Sequence, residues 1–227
     1  MKKECLEIVR EKCEGCHACT LGATRKNIVF SDGNPSTAKI VLIGEAPGET
    51  ENETGKPFVG RAGQLLSDFL AKAGISREED VYIINTVKCR PPENRVPTDD
   101  EKSACRKFLN AQIDIINPRA IVLCGATALK SFVELDKKQT ISKVRGKWMS
   151  INVDGKDYRA ITIFHPSYLL RNHSMEEGSP RRLMQEDLRN IKNEILSDIE
   201  REIPFEDSPI TNSSAFNIFA QQHAALL

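Results

Sequence analysis

An α/β three-layer sandwich, with a central four-stranded parallel sheet flanked by helices, is the fold that this sequence of 227 residues predicts. Three observations carry the prediction. Four short, β-branched apolar runs recur along the chain, and helical patterns lie between them. The runs are apolar almost without alternation, as strands covered on both faces are. Strands alternating with helices then build a doubly wound layer. A chain of this length buries one sizeable core, so residues 1–203 read as one domain. Residues 204–227 read as a mobile tail with a short apolar end, "FNIFAQQHAALL".

The first run is "KIVLIG" (39–44), followed by a polar loop and by "AGQLLSDFLAKAG" (62–74), whose apolar residues fall at helical spacing and stop at a glycine. "VYIINT" (81–86) is the second strand. "TDDEKSACRKFLNAQIDIINP" (98–118) opens with a Thr-x-x-Glu capping box and closes before Pro118, which defines a helix. "AIVLCG" (120–125) is the third strand, "ATALKSFV" (126–133) a shorter helix, and "AITIFHP" (160–166) the fourth strand. Residues 180–203 read as one long charged helix that Pro204 closes.

Charge excludes little: 32 basic residues balance 32 acidic ones, so a polyanion partner has to be sought in local patches. There is no apolar run of membrane-spanning length and no charged-then-apolar leader, which predicts a cytoplasmic protein without a membrane partner. The expected state is a monomer. Seven cysteines are many for such a compartment, and an odd number argues against a complete disulfide framework. Clustered cysteines in a reducing compartment more often bind metal.

Ligands of open α/β sheets sit beyond the carboxyl ends of the strands. Those ends carry Gly44-Glu45, Asn85-Thr86, Cys124-Gly125 and His165-Pro166. An acid, an amide and an imidazole thus converge on one rim, which makes a small-molecule pocket the working expectation. The glycine-rich loop above them, "GEAPGETENETGKPFVGRAGQLL", resembles a phosphate cradle only superficially. It lacks a Lys-Ser or Lys-Thr pair, and its acids would repel a phosphate.

"CEGCHACTL" places Cys13, Cys16 and Cys19 three apart, while Cys89 and Cys105 follow much later. Two thiolates from the first group and two from the second complete a four-thiolate site suited to an iron–sulfur cluster or zinc. Spacing does not decide which two of the first three are ligands. The bacterial ferredoxin run needs a further cysteine near residue 23, where this chain has Ala23-Thr24. Cys5 is isolated and Cys124 lies inside an apolar strand, so both read as unligated thiols.

"GEAPGETENETGKPFVGRAGQLL", "INTVKCRPPENRVP" and "FHPSYLLRN" together resemble the family-four uracil-DNA glycosylases, the thermophile-type branch with an iron–sulfur cluster. The resemblance runs from about residue 13 to about residue 195, with the motifs in the expected order. It implies a uracil-DNA glycosylase-like fold and hydrolysis of the N-glycosidic bond of deoxyuridine in single- or double-stranded DNA. It also implies a [4Fe-4S] cluster on Cys16, Cys19, Cys89 and Cys105, with Cys13 spare, because "CHACTL" followed by "DGNP" fits the family's frame.

The implied roles fit the residue types. An extruded pyrimidine needs a stacking ring, an edge reader and a stabiliser for its departing charge. Phe58 resembles the ring. Asn85 resembles the reader, its amide accepting from uracil N3–H and donating to O4, a pattern that cytosine reverses. His165 resembles the donor to O2, acting where charge develops in the transition state. Glu45 and Glu51 are the candidates to orient water or favour a cationic sugar. The aspartate that precedes the motif-one proline in the better-known uracil glycosylases is Ala46 here, so Ala46 lines the substrate site without that role. Leu169 or Leu170 is the candidate DNA wedge, and Lys137, Lys138, Lys143, Arg145, Lys147, Arg171, Arg181 and Arg182 are candidates for phosphate contacts. No histidine interrupts "GETENETGKPF", so turnover rather than covalent trapping is expected. A non-catalytic iron–sulfur nucleic-acid-binding module is the alternative, and it would not need Glu45, Asn85 and His165 at converging strand ends.

Overall fold

A computed structural model describes residues 1–135 and 139–197. The elements in chain order are α1 (Lys2–Glu14), β1 (Ile40–Gly44), α2 (Glu49–Thr54), α3 (Arg61–Ala73), β2 (Val81–Asn85), α4 (Asp99–Ile116), β3 (Ala120–Cys124), α5 (Ala126–Lys130), α6 (Ile141–Val144), β4 (Trp148–Val153), β5 (Lys156–Ile163), α7 (Pro166–Leu169) and α8 (Pro180–Ile191), which runs on into a π-helical turn at Lys192–Leu196.

The sheet order is β2-β1-β3-β5-β4. The four expected strands pair in parallel, Gly44 opposite Asn85 at one junction and Cys124 opposite Ile163 at another. A fifth strand, β4, joins antiparallel through a hairpin with β5. It escaped the sequence reading because its exposed alternate residues break the apolar run. The local signal was present all the same: Asp154 (φ 50) and Gly155 (φ 86) make the Asp-Gly turn that hairpins favour.

Each strand alternates between two cores, because successive side chains point to opposite faces. Val41, Ile43, Tyr82, Ile84, Ile121 and Leu123 pack with α1 and α4. Ile40, Leu42, Val81, Ile83, Val122 and Ile163 pack with α3 and α8. Both faces are covered, which is why the runs read as continuously apolar. Cys124 is buried within the second core, as a strand thiol should be.

Several boundaries differ from expectation. Helix α1 carries no strong sequence signal, and it forms because Leu6, Val9 and Cys13 make one buried stripe against α4. The capping box of α4 is present, Thr98 Oγ1 accepting from the Glu101 amide and the Glu101 carboxylate accepting from the Thr98 amide. The long helix predicted to reach residue 203 is described only to Leu196. The tail at 204–227, Lys137 and Lys138 lie outside the described residues.

Candidate active site and cysteine cluster

Chain order reverses at β1, which has β2 on one side and β3 on the other. Beyond the carboxyl ends of β1 and β3 such a sheet opens a crevice. Glu45 leaves β1 at this point, and Thr127 stands in the first turn after β3. The Thr127 hydroxyl donates to Glu45 Oε2 across the crevice, and the Thr86 hydroxyl donates to the Glu45 carbonyl. Side chain and backbone of Glu45 are therefore both fixed.

Glu51 is bound differently. Its Oε1 accepts from the amides of Val59 (2.9 Å) and Gly60 (2.8 Å), and its Oε2 from the amide of Gly48 (3.2 Å). Three backbone donors claim this carboxylate, which braces the two ends of the loop that carries Phe58. Glu51 is thus held by backbone donors, whereas Glu45 is held by a side chain.

Phe58 sits in that loop at φ 52, a left-handed backbone that non-glycine residues seldom adopt. Gly63 makes the loop possible: a Cβ there would lie 1.9 Å from the Phe58 carbonyl oxygen. The Phe58 ring lies 5.8 Å from the His165 ring, tilted by 40°. Asn85 ends β2 beside them. A Cβ on Gly44 would stand 2.4 Å from Asn85 Oδ1 and 2.5 Å from Phe58 Cζ, so reader, ring and glycine share one spot. Asn85 is buried, and its Oδ1 has no hydrogen-bond partner among the described residues. A buried acceptor without a donor costs about 1–3 kcal/mol, and such an atom is the expected mark of a ligand-binding edge.

His165 caps α7 at the end of β5. Its Nδ1 accepts from the Ser167 amide (3.3 Å) and faces the Ser167 hydroxyl at 2.7 Å. A backbone N–H can only donate, so the ring proton belongs on Nε2. Burial lowers the His165 pKa below its ordinary value, against the opposing pull of Glu45 and Glu51. The neutral imidazole therefore carries an Nε2–H donor at neutral pH.

Ala46 is half-buried and packs against the small cluster of Leu21, Val87 and Cys89, so it joins the crevice to the cysteines. Leu169 is fully buried within the α3 and α8 core, which corrects its candidacy as a wedge. Leu170 is half-buried in the adjoining loop. Of the basic residues, Arg145 is taken up by a buried ion pair with Asp187, and Arg182 pairs with Glu186 at 3.0 Å. Arg181 donates to the Leu169 carbonyl (3.1 Å) and meets His173. Lys143, Lys147 and Arg171 are exposed.

The cysteines converge where the sequence placed them. Cys13, Cys16, Cys19, Cys89 and Cys105 line one cavity with Arg25 and Lys88. All seven cysteines are free thiols. No group of three or more His, Cys, Asp or Glu closes on a single metal ion among the described residues. Soft sulfur donors suit an iron–sulfur cluster or zinc. Arg25 donates to the Cys16 carbonyl at 2.6 Å and lies 3.8 Å from Cys89 Sγ. Burial pushes the Cys105 thiol up to about 11 and raises Cys89 and Cys13 as well.

Glu101 ties three cysteine-bearing segments together. It accepts from Thr20, beside Cys19, and from Arg95, in the loop that follows Cys89, and it stands one turn before Cys105 on α4. The Arg95 guanidinium holds its pKa down to about 2. The ties of Thr86 and Thr127 to Glu45 and of Thr20 to Glu101 escaped the sequence reading, because each joins partners remote in the chain; Ser167 and Lys88 bond to neighbours two and three residues away, contacts that residue type alone does not announce.

The profile described as "Uracil DNA glycosylase superfamily" matches residues 30–189. The chain belongs to that superfamily. Within it, the chain is 53% identical over 194 residues to a "Type-4 uracil-DNA glycosylase" of Thermotoga maritima, covering 84% of this chain and 95% of the relative. A protein of the same description from Saccharolobus solfataricus is 40% identical over 195 residues, 85% of this chain and 87% of the relative. One from Archaeoglobus fulgidus is 43% identical over 173 residues, 75% of this chain and 85% of the relative.

Proposed function

We propose that this protein is a monofunctional uracil-DNA glycosylase that hydrolyses the N-glycosidic bond of flipped-out deoxyuridine and leaves an abasic site, the first step of base-excision repair. The observation that carries the reading is the buried, unpartnered Oδ1 of Asn85 beside the ring of Phe58. Uracil N3–H supplies the missing donor, and the amide nitrogen of Asn85 donates to uracil O4. Cytosine offers an acceptor at N3 and a donor at C4, which leaves both groups unpaired.

The base leaves the stack at a cost of a few kcal/mol and is held against Phe58. As the glycosidic bond lengthens, negative charge gathers on uracil O2 and positive character on the sugar. The Nε2–H of neutral His165 donates to O2, stabilising charge that exists only in the transition state. The Glu45 carboxylate, anchored through Oε2 by Thr127, directs its other oxygen to the cationic sugar and the attacking water. Leu170 fills the gap left in the duplex. Exposed Lys143, Lys147 and Arg171 contribute phosphate contacts, which position DNA without reading it.

The four thiols Cys16, Cys19, Cys89 and Cys105 would hold a [4Fe-4S] cluster, whose contribution is to tie the N-terminal segment to the loop after β2. The test is an oligonucleotide bearing one uracil, incubated and then treated with alkali. Cleavage at the uracil is expected, with loss of about 10²–10³ in rate for His165→Ala and a comparable loss for Asn85→Ala. An intact strand with the unaltered protein overturns the reading. A broad brown absorbance that dithionite bleaches distinguishes the cluster from zinc.

A further inference from the structure

We infer that Lys88 is the buried cation that serves both the cysteine cluster and the uracil reader, so that the two sites share one side chain. The inference about the reader rests on the glycosylase reading above. Lys88 is 0% exposed. Its Nζ donates to the main-chain carbonyl of Asn85 at 2.9 Å. The same side chain lines the cysteine cavity beside Cys13, Cys89 and Cys105. Its backbone amide also donates toward Cys105, and its carbonyl accepts from the Val29 amide at 2.9 Å.

A lone ammonium is expensive to bury. A long apolar side chain would fill the same volume without that penalty, so the amine is retained for its charge or for its hydrogen bond. A cluster held by four thiolates is a net anion, and Lys88 is the buried counter-cation facing it. Its hydrogen bond meanwhile fixes the main chain at Asn85, three residues away across the tight turn that leaves β2. Removing the amine therefore has two separable effects. Loss of charge makes an added electron less welcome on the cluster, moving its reduction potential to more negative values. Loss of the donor frees the Asn85 carbonyl and loosens the grip on uracil.

Two substitutions separate these effects. Lys88→Gln keeps a donor and removes the charge, whereas Lys88→Met keeps the length and removes both. The experiment uses the cluster-loaded full chain. Cluster potential is followed by absorbance in a redox titration, and uracil binding by inhibition with the free base and by KM for uracil-DNA. Both variants are expected to shift the potential negative. Only Lys88→Met is expected to weaken inhibition by free uracil, roughly tenfold, with a parallel rise in KM and little change in kcat. Unchanged potentials in both variants overturn the charge role, and unchanged uracil inhibition in Lys88→Met overturns the reader role. If the variants do not retain iron, Lys88→Arg decides. Iron kept by Arg but lost by Gln and Met supports the counter-cation, and iron lost by all three reduces Lys88 to a packing residue. The potential does not depend on excision, so failure of the unaltered protein to excise uracil would stand apart from failure of this inference.

Discussion

Glu51→Gln and Glu45→Gln should fail in opposite ways, and the contrast tests the assignment of the two acids. In Glu51→Gln the amide oxygen keeps the Val59 and Gly60 donors, and the new NH2 group faces the amide of Gly48, donor against donor. One charge-assisted bond is lost and two are weakened to neutral ones, a cost of about 1.5–3 kcal/mol. For a protein of this size that lowers Tm by about 3–12 °C. The reaction suffers only indirectly, through the Phe58 loop, so kcat should fall less than about tenfold. In Glu45→Gln the fold loses little, because Thr86 still holds the backbone and an amide can still meet Thr127. Tm should stay within about 2 °C, while kcat falls by about 10²–10⁴, as for loss of a positioned base. Thermal unfolding followed by circular dichroism and single-turnover excision of uracil from an oligonucleotide measure the two quantities. The reasoning is refuted if Glu51→Gln abolishes turnover at unchanged Tm while Glu45→Gln remains active.

Three further outcomes are expected. The pKa of His165 lies below its unfolded value, so the unfolded chain binds the extra proton first; stability is then present above about pH 6.5 and declines as pH falls below it. Tm measured between pH 7.5 and 5.5 should fall more steeply for the unaltered protein than for His165→Asn, and equal slopes would contradict this. Thr127→Val should lower kcat about tenfold with KM unchanged, by releasing the Glu45 carboxylate, and Thr127→Ser should restore it; steady-state kinetics decide. Glu101→Gln should lower Tm by about 2–8 °C and reduce iron content, since Thr20, Arg95 and the Thr98 amide at the start of α4 lose the charge of their common acceptor. With a folded pKa of about 2, the Glu101 contribution is complete above about pH 4.3 and is lost as pH falls toward 2.

Much of the architecture was legible because a parallel strand covered on both faces writes its burial directly into consecutive residues. β1, β2, β3 and β5 were found in this way. The edge strand β4 was not, since half of its residues face outward and its only strong marker is the Asp154-Gly155 turn. The strand-end rule likewise brought Glu45, Asn85 and His165 to one rim. Leu169 and Leu170 looked equivalent as a pair, yet α7 turns the first into the core and leaves the second half-buried. Arg145 looked like a phosphate contact until Asp187, 42 residues later, claimed it.

Local chemistry along the chain determined which residue types stand at which strand ends, and that was enough to place a ring, an amide, an imidazole and a set of thiols around two neighbouring centres. Tertiary contacts alone decided how those groups are engaged. Only they show that three backbone amides occupy Glu51, that Thr127 steadies Glu45, that Asn85 keeps an unanswered acceptor, and that a buried lysine stands between reader and thiols. The reason is physical: a side chain's type is written in one position, but its free hydrogen-bonding capacity depends on partners that folding brings from elsewhere.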